Sequence, residues 1–135
     1  MKTILITGGL GHIGSGLMRY LLARDCKVIC IDNLLTQRLS SLRGLIGNRF
    51  FQFIDLDLAA KNLSLKEALG MQKIDCIVHL AAITNAEASH DKAEEVHNNN
   101  FSSTKNIVNF CKESNIKLIF PSSTSVYGSA DAEVF

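Results

Sequence analysis

A glycine-rich turn wedged between a strand and a helix restricts this chain more than any other feature. The stretch from Thr7 to Gly16 reads TGGLGHIGSG; it follows an apolar run, Ile4 to Ile6, and leads into a helical pattern at Ile13, Leu17, Leu21 and Leu22. Strand, glycine loop and helix in that order form the context of a dinucleotide-binding turn. Residues 1–32 are therefore expected to form a first βαβ unit that holds a pyrophosphate. Gly8 is expected to turn the chain tightly off the strand, Gly11 to let the backbone approach the phosphates, and Gly14 to let the helix pack closely on the sheet. The phosphates would rest on the amides of the helix start, where unpaired N–H donors and the helix dipole favour an anion.

The spacing is GxxGxxG with a threonine ahead of it, and a glycine turn of purely structural use satisfies the same pattern. Asp32 weighs against that bland reading. It ends the second apolar run, Val28 to Ile31, 18 residues after Gly14. There a carboxylate accepts hydrogen bonds from ribose hydroxyls and repels a 2′-phosphate, which points to NAD over NADP.

Strand-like and helix-like runs alternate along the rest of the chain, the pattern of an α/β fold with a parallel sheet covered on both faces. Its 135 residues make one domain, long enough to bury roughly two thirds of its unfolded surface. The expected strands are 2–7, 27–32, 50–54, 75–80 and 116–120, in the sheet order 3-2-1-4-5 with the fifth at an exposed flank. Asp25 supplies a left-handed turn before the second strand, and residues 33–49 form a long connection with one helical turn. Ser64 caps a short helix that Gly70 stops.

A longer helix is expected from Asp91 to Glu113, with Asp91 and Glu94 as a variant capping box and Val96, Phe101, Ile107, Val108 and Cys111 as one buried stripe. His90, Glu94 and His97 share a face of that helix, a spacing that admits a metal; a solvated polar face is the expected reading. Asn98, Asn99 and Asn100 are poor helix formers in a helix interior, so at least one is expected to serve a purpose. Asp55 ends the third strand, where it either accepts from an adenine amino group or caps a turn.

A net charge of +1 argues against a nucleic-acid or membrane-surface partner. No run approaches the length that spans a bilayer, and the N-terminus enters a strand directly, so the expected location is cytoplasmic. Cys26, Cys30, Cys76 and Cys111 lie in or beside apolar runs without CxxC spacing and are read as reduced, partly buried thiols.

Six motifs in register then carry a resemblance that covers essentially the whole chain. They are TGGLGHIG at 7–14, Asp32-Asn33-Leu34, Asp55-Leu56, HLAA at 79–82, Asn100 with Thr104 four residues on, and SSTSVYG at 122–128. Their order resembles that of the extended short-chain dehydrogenase/reductases, and within them the NAD-dependent epimerase/dehydratase group, of which UDP-glucose 4-epimerase is typical. The resemblance implies a Rossmann-type sheet and hydride transfer from a sugar carbon to tightly held NAD, giving a keto-sugar intermediate. It implies that Gly8, Gly11, His12, Ile13 and Gly14 surround the pyrophosphate, Asp32 and Asn33 the adenosine ribose, and Asp55 and Leu56 the adenine. Leu80, Ala81, Ala82 and Thr84 would lie along the middle of the cofactor, and Asn100 would steady the nicotinamide end. Ser123 matches the catalytic Ser/Thr that hydrogen-bonds the reacting sugar hydroxyl.

The family's chemistry also uses a YxxxK pair beyond the SSxxVYG segment, and neither Tyr20 nor Tyr127 has a lysine four positions on. Thr124-Ser125 stand where sugar 4,6-dehydratases carry Asp-Glu, which disfavours water elimination. Ser103 replaces the usual glycine before Thr104. The expectation is thus the NAD-binding, amino-terminal part of a nucleotide-sugar epimerase-like enzyme, inactive by itself, lacking the substrate domain and dimerising through the 91–113 helix. The alternatives are a stand-alone NAD-binding module without catalysis and a remnant that keeps only the fold.

Overall fold

The computed structural model describes residues 1–35, 39–84 and 93–122. Five strands, β1 (Thr3–Thr7), β2 (Lys27–Asp32), β3 (Phe51–Asp55), β4 (Cys76–His79) and β5 (Lys117–Ile119), alternate with three helices, α1 (His12–Leu22), α2 (Leu65–Leu69) and α3 (Ala93–Ser114). The strands form one sheet in the order β3-β2-β1-β4-β5, and every pairing is parallel. This is the expected Rossmann-type, doubly wound α/β arrangement.

The apolar runs are buried on both faces, as strands covered by helices on either side must be. Leu5, Ile29, Ile31 and Ile77 point into one core cluster with Leu65, Leu69, Ile107 and Cys111. Their neighbours Ile6, Val28, Cys30 and Val78 point into the other, with Met18 of α1 and Leu42 and Leu45 of the connection. The period-two alternation of a strand thus divides each run between two cores. α3 covers the first face and α1 the second.

Local signals explain the element ends. Asp25 adopts φ 56 before β2, as expected of a residue that tolerates the left-handed region. Ser64 Oγ accepts the Glu67 amide at the start of α2, and Gly70 ends that helix at φ 60. Among its described residues the long connection carries one 3-10 turn, Leu39–Leu42. Cys30 and Cys111 are buried and Cys26 and Cys76 half-buried.

The buried stripe of α3 differs from expectation. Ile107 and Cys111 are buried together with Ser103, whereas Phe101 is 60% and Val108 43% exposed. Residues 103, 107 and 111 recur every four positions and share the sheet-facing side, while a residue one step from Ile107 lies about 100° around the helix. Asp91, the expected cap, lies outside the described residues.

Candidate functional site

The sheet order changes direction between β1 and β4, and ligands of open α/β sheets collect in the crevice at the carboxyl ends of such strands. Here the crevice is a cavity of about 870 Å³, within the range of small-molecule and cofactor sites. The exits of β2, β3, β4 and β5, the start of α1 and one flank of α3 all contribute to its wall.

The glycine turn forms one end. Gly8 has φ 64, and a Cβ there would lie 2.7 Å from the Cα and N of Ala81, so the turn sits directly against the chain leaving β4. Gly8 N–H donates to Ile31 O at 2.8 Å, and Gly11 N–H to Gly8 O at 3.1 Å. Gly14 packs more tightly still: a Cβ would meet Gly9 Cα at 2.6 Å and Gly9 O at 2.7 Å. What Gly14 permits is close contact of the helix with the turn itself, a step more local than helix on sheet. Gly11 caps α1 in ordinary extended geometry and supplies no side-chain acceptor. The first amides of α1 therefore have neither an intrahelical partner nor a side-chain cap, and Gly11, His12, Ile13 and Gly14 face the cavity.

Asp32 sits at the second end, 7% exposed. Its Oδ2 accepts Leu10 N–H at 3.1 Å and its Oδ1 accepts Leu34 N–H at 3.0 Å. Each oxygen keeps a further lone pair, so the carboxylate is fixed and still able to accept. Asn33 accepts Leu35 N–H through Oδ1 at 3.1 Å, which leaves its NH2 group as the donor at the rim. These two turns hold Leu34 at φ 59, a conformation costing roughly 1–2 kcal/mol for a residue with a side chain.

The other anticipated residues divide. Leu56, Leu80, Ala81, Ala82 and Thr84 line the cavity, and at the exit of β3 Asp57 does so as well. Asp55 pairs in register with Asp32, but its side chain is exposed and stands outside the wall. Asn100 clamps the segment after β4 from both sides: its Oδ1 accepts Ile83 N–H at 2.8 Å and its Nδ2 donates to Ile83 O at 3.1 Å. That is a purpose for one asparagine of the triplet. Ser103 is buried, its hydroxyl donating to Asn100 O at 3.1 Å. Ser123 and His90 lie outside the described residues. His97 stacks on Phe101, ring centroids 6.3 Å apart, and among the described residues no cluster of metal-ligating side chains occurs. None of their helices is long and apolar enough to cross a membrane.

Sequence reasoning missed a buried polar chain beneath the cavity. Thr7 Oγ1 lies 2.6 Å from His79 Nδ1, and His79 Nε2 lies 3.1 Å from Thr104 Oγ1. His79 is 2% exposed and stacks on Phe120, with 5.7 Å between centroids. Burial holds its pKa down at about 4, so the ring is neutral at ordinary pH. The available signal was a histidine set in an apolar run at the end of β4, a polar group that burial obliges to find partners. Gly9 was also missed: a Cβ there would fall 2.5 Å from Cys30 Sγ. Asn106 was another omission, its Nδ2 donating to Leu58 O at 2.8 Å and so tying the β3 exit to α3. Burial pushes the Cys30 thiol up to about 12, which leaves it inert as a nucleophile.

Comparisons with known proteins agree with this architecture. The model of the NAD dependent epimerase/dehydratase family matches residues 4–134. The UDP-glucose 4-epimerase of Yersinia enterocolitica is 33% identical over 132 residues, covering 96% of this chain and 39% of that protein. The UDP-N-acetyl-alpha-D-glucosaminuronate decarboxylase of Bacillus cytotoxicus is 35% identical over 127 residues, covering 94% and 38%. Among solved structures, UDP-glucose 4-epimerase from Bifidobacterium longum in complex with NAD+ and UDP superposes with a TM-score of 0.83 at 30% identity, over 94% of this chain and 38% of that one. The chain thus spans about two fifths of the length of each of these three relatives.

Proposed function

This chain belongs to the NAD dependent epimerase/dehydratase family, and on that premise we propose that it is the NAD-binding portion of a nucleotide-sugar epimerase-like enzyme. The observation that carries the reading is a single cavity joining an uncapped helix start at Gly11–Gly14 to the fixed carboxylate of Asp32. Those are the two chemistries a dinucleotide demands, donors for its phosphates and an acceptor for its ribose hydroxyls.

The residues present fit the group. Gly8, Gly11, His12, Ile13 and Gly14 would hold the pyrophosphate, Asp32 and Asn33 the adenosine ribose, and Leu56 the adenine, while Asp55 stands outside the wall. Leu80, Ala81, Ala82 and Thr84 would flank the middle, and Asn100 would keep the β4 exit in place beside the nicotinamide. When bound, NAD supplies a hydride acceptor for a sugar hydroxyl carbon. Ser123 is the residue in this chain that would hydrogen-bond that hydroxyl, and the nucleotide sugar is the substrate. Dimerisation through α3 belongs to the same reading, supported by the exposure of Phe101 and Val108 on the helix side turned from the sheet.

Calorimetric titration with NAD, with NADP, and of the Asp32→Ala variant tests the proposal. Saturable binding of NAD in preference to NADP, lost in the variant, is the expected result. A folded chain that binds neither dinucleotide would sink it.

A further inference from the structure

Two backbone amides that reach Thr7 Oγ1 set a direction on the Thr7, His79 and Thr104 chain. Thr7 Oγ1 accepts the amide of Ala81 at 3.3 Å and, at 3.2 Å, that of Leu80, which Thr7 O shares at 3.1 Å. A hydroxyl has two acceptor lone pairs and one hydrogen, so both lone pairs are committed. The hydrogen is what remains for the short 2.6 Å contact to His79 Nδ1. In this arrangement Nδ1 is the acceptor, and the neutral ring carries its proton on Nε2. Nε2–H in turn donates to Thr104 Oγ1 at 3.1 Å. Thr104 is then left with a hydroxyl hydrogen that no described residue accepts: Asn100 O on the preceding turn takes the Ser103 hydroxyl and, by the i to i−4 helix pattern, the Thr104 amide. Thr104 lines the cavity.

We propose that Thr104 is a binding residue whose hydroxyl donates a hydrogen bond to an oxygen acceptor on the bound dinucleotide, with His79 as the positioning residue that orients it. The inference rests on the cofactor reading above and extends it to a motif residue that was given no role there. Position decides which half of the ligand is met. β1 separates β2 from β4 in the sheet, so the Asp32 and His79 ends lie about 10 Å apart at the usual strand spacing. With adenosine at Asp32, Thr104 meets the nicotinamide-bearing half. The small residues Ala81 and Ala82 beside it leave the acceptor room to approach.

Two measurements on the full chain test this. In the first, the ring nitrogens of 15N-labelled protein are recorded by long-range proton–nitrogen correlation, with His79→Gln identifying the signal. A neutral Nε2–H tautomer from pH 5.5 to pH 8 is expected, and an Nδ1–H tautomer overturns the orientation. In the second, NAD and AMP are titrated against the parent chain, Thr104→Val and Thr104→Ser, each checked for folding by its amide spectrum. Thr104→Val is expected to weaken NAD about tenfold, the range of one neutral hydrogen bond, while AMP stays within about twofold. Thr104→Ser, which keeps the donor, is expected to restore NAD affinity to within about threefold. Equal loss of NAD and AMP, or no loss of NAD, overturns the proposal. Failure of the parent chain to bind NAD overturns the cofactor reading with it, whereas NAD binding that is indifferent to Thr104→Val overturns this inference alone. The tautomer result needs no Thr104 variant, and should the valine variant not fold, Thr104→Ala, which also removes the donor, takes its place with the same expected loss of NAD and retention of AMP.

Discussion

The same substitution placed two residues apart in α1 should have opposite effects. A Cβ on Gly14 would lie 2.6 Å from Gly9 Cα, 2.7 Å from Gly9 O and 2.8 Å from Gly8 O. All three are backbone atoms, and the turn that carries them is pinned by the Gly8–Ile31 hydrogen bond and by its seat on Ala81. No flexible side chain is available to give way. Forcing an extra carbon into such packing costs about 1–3 kcal/mol, and the immobility of the neighbours places this case at the upper end. Alanine regains up to about 1 kcal/mol of helix propensity, so Gly14→Ala should lose about 2 kcal/mol.

Gly16 lies in the same helix with nothing within 4 Å of its virtual Cβ. There Gly16→Ala should gain about 0.5–1 kcal/mol from propensity and from the reduced entropy of the unfolded chain. At roughly 3–4 °C per kcal/mol for a domain of this size, the two variants should melt about 10 °C apart, one below the parent and one above. Thermal unfolding followed by circular dichroism measures it, with urea unfolding as the check on free energy. A Gly14→Ala chain as stable as the parent would refute the argument that backbone contact with the turn fixes this glycine.

The remaining predictions concern charge state and assembly. His79 has a folded-state pKa depressed by burial to about 4 from an unfolded value near 6.5. The unfolded chain therefore binds the proton first, and the contribution of His79 to stability is present above about pH 6.5 and lost as pH falls toward 4. Urea unfolding at pH 7 and pH 4.5 should show the parent losing roughly 2–3 kcal/mol more than His79→Gln over that interval; parallel losses would show that the ring does not titrate on unfolding. For assembly, sedimentation should find a dimer that Phe101→Glu converts to monomer, because a carboxylate has to be desolvated in an apolar contact. A parent chain that sediments only as monomer would end the α3 dimer reading.

Much of the fold was legible because the information is local. The apolar runs, the turn at Asp25, the cap at Ser64 and the stop at Gly70 each depend on a residue's own conformational preferences, and each stands where its chemistry places it. The parallel pairing of the strands followed from their alternation with helices. The stripe on α3 was less legible: Phe101 and Val108 are apolar in composition yet face outward, and nothing within a helical window tells which of two apolar sides meets the sheet.

Within the site, the sequence by itself determined the donor end and the acceptor end, since glycines after a strand and a carboxylate ending the next strand announce their chemistry at fixed spacing. It could not determine what those residues touch. That Gly14 abuts Gly9, that Asn100 clamps Ile83, and that Thr7, His79 and Thr104 form one chain are facts about pairs, 72 residues apart for Thr7 and His79. Only the parallel pairing of β1 with β4, which sets Thr7 opposite His79, brought them within hydrogen-bond reach. Buried polar groups take whatever partners the packing provides, so their roles were settled by tertiary structure alone.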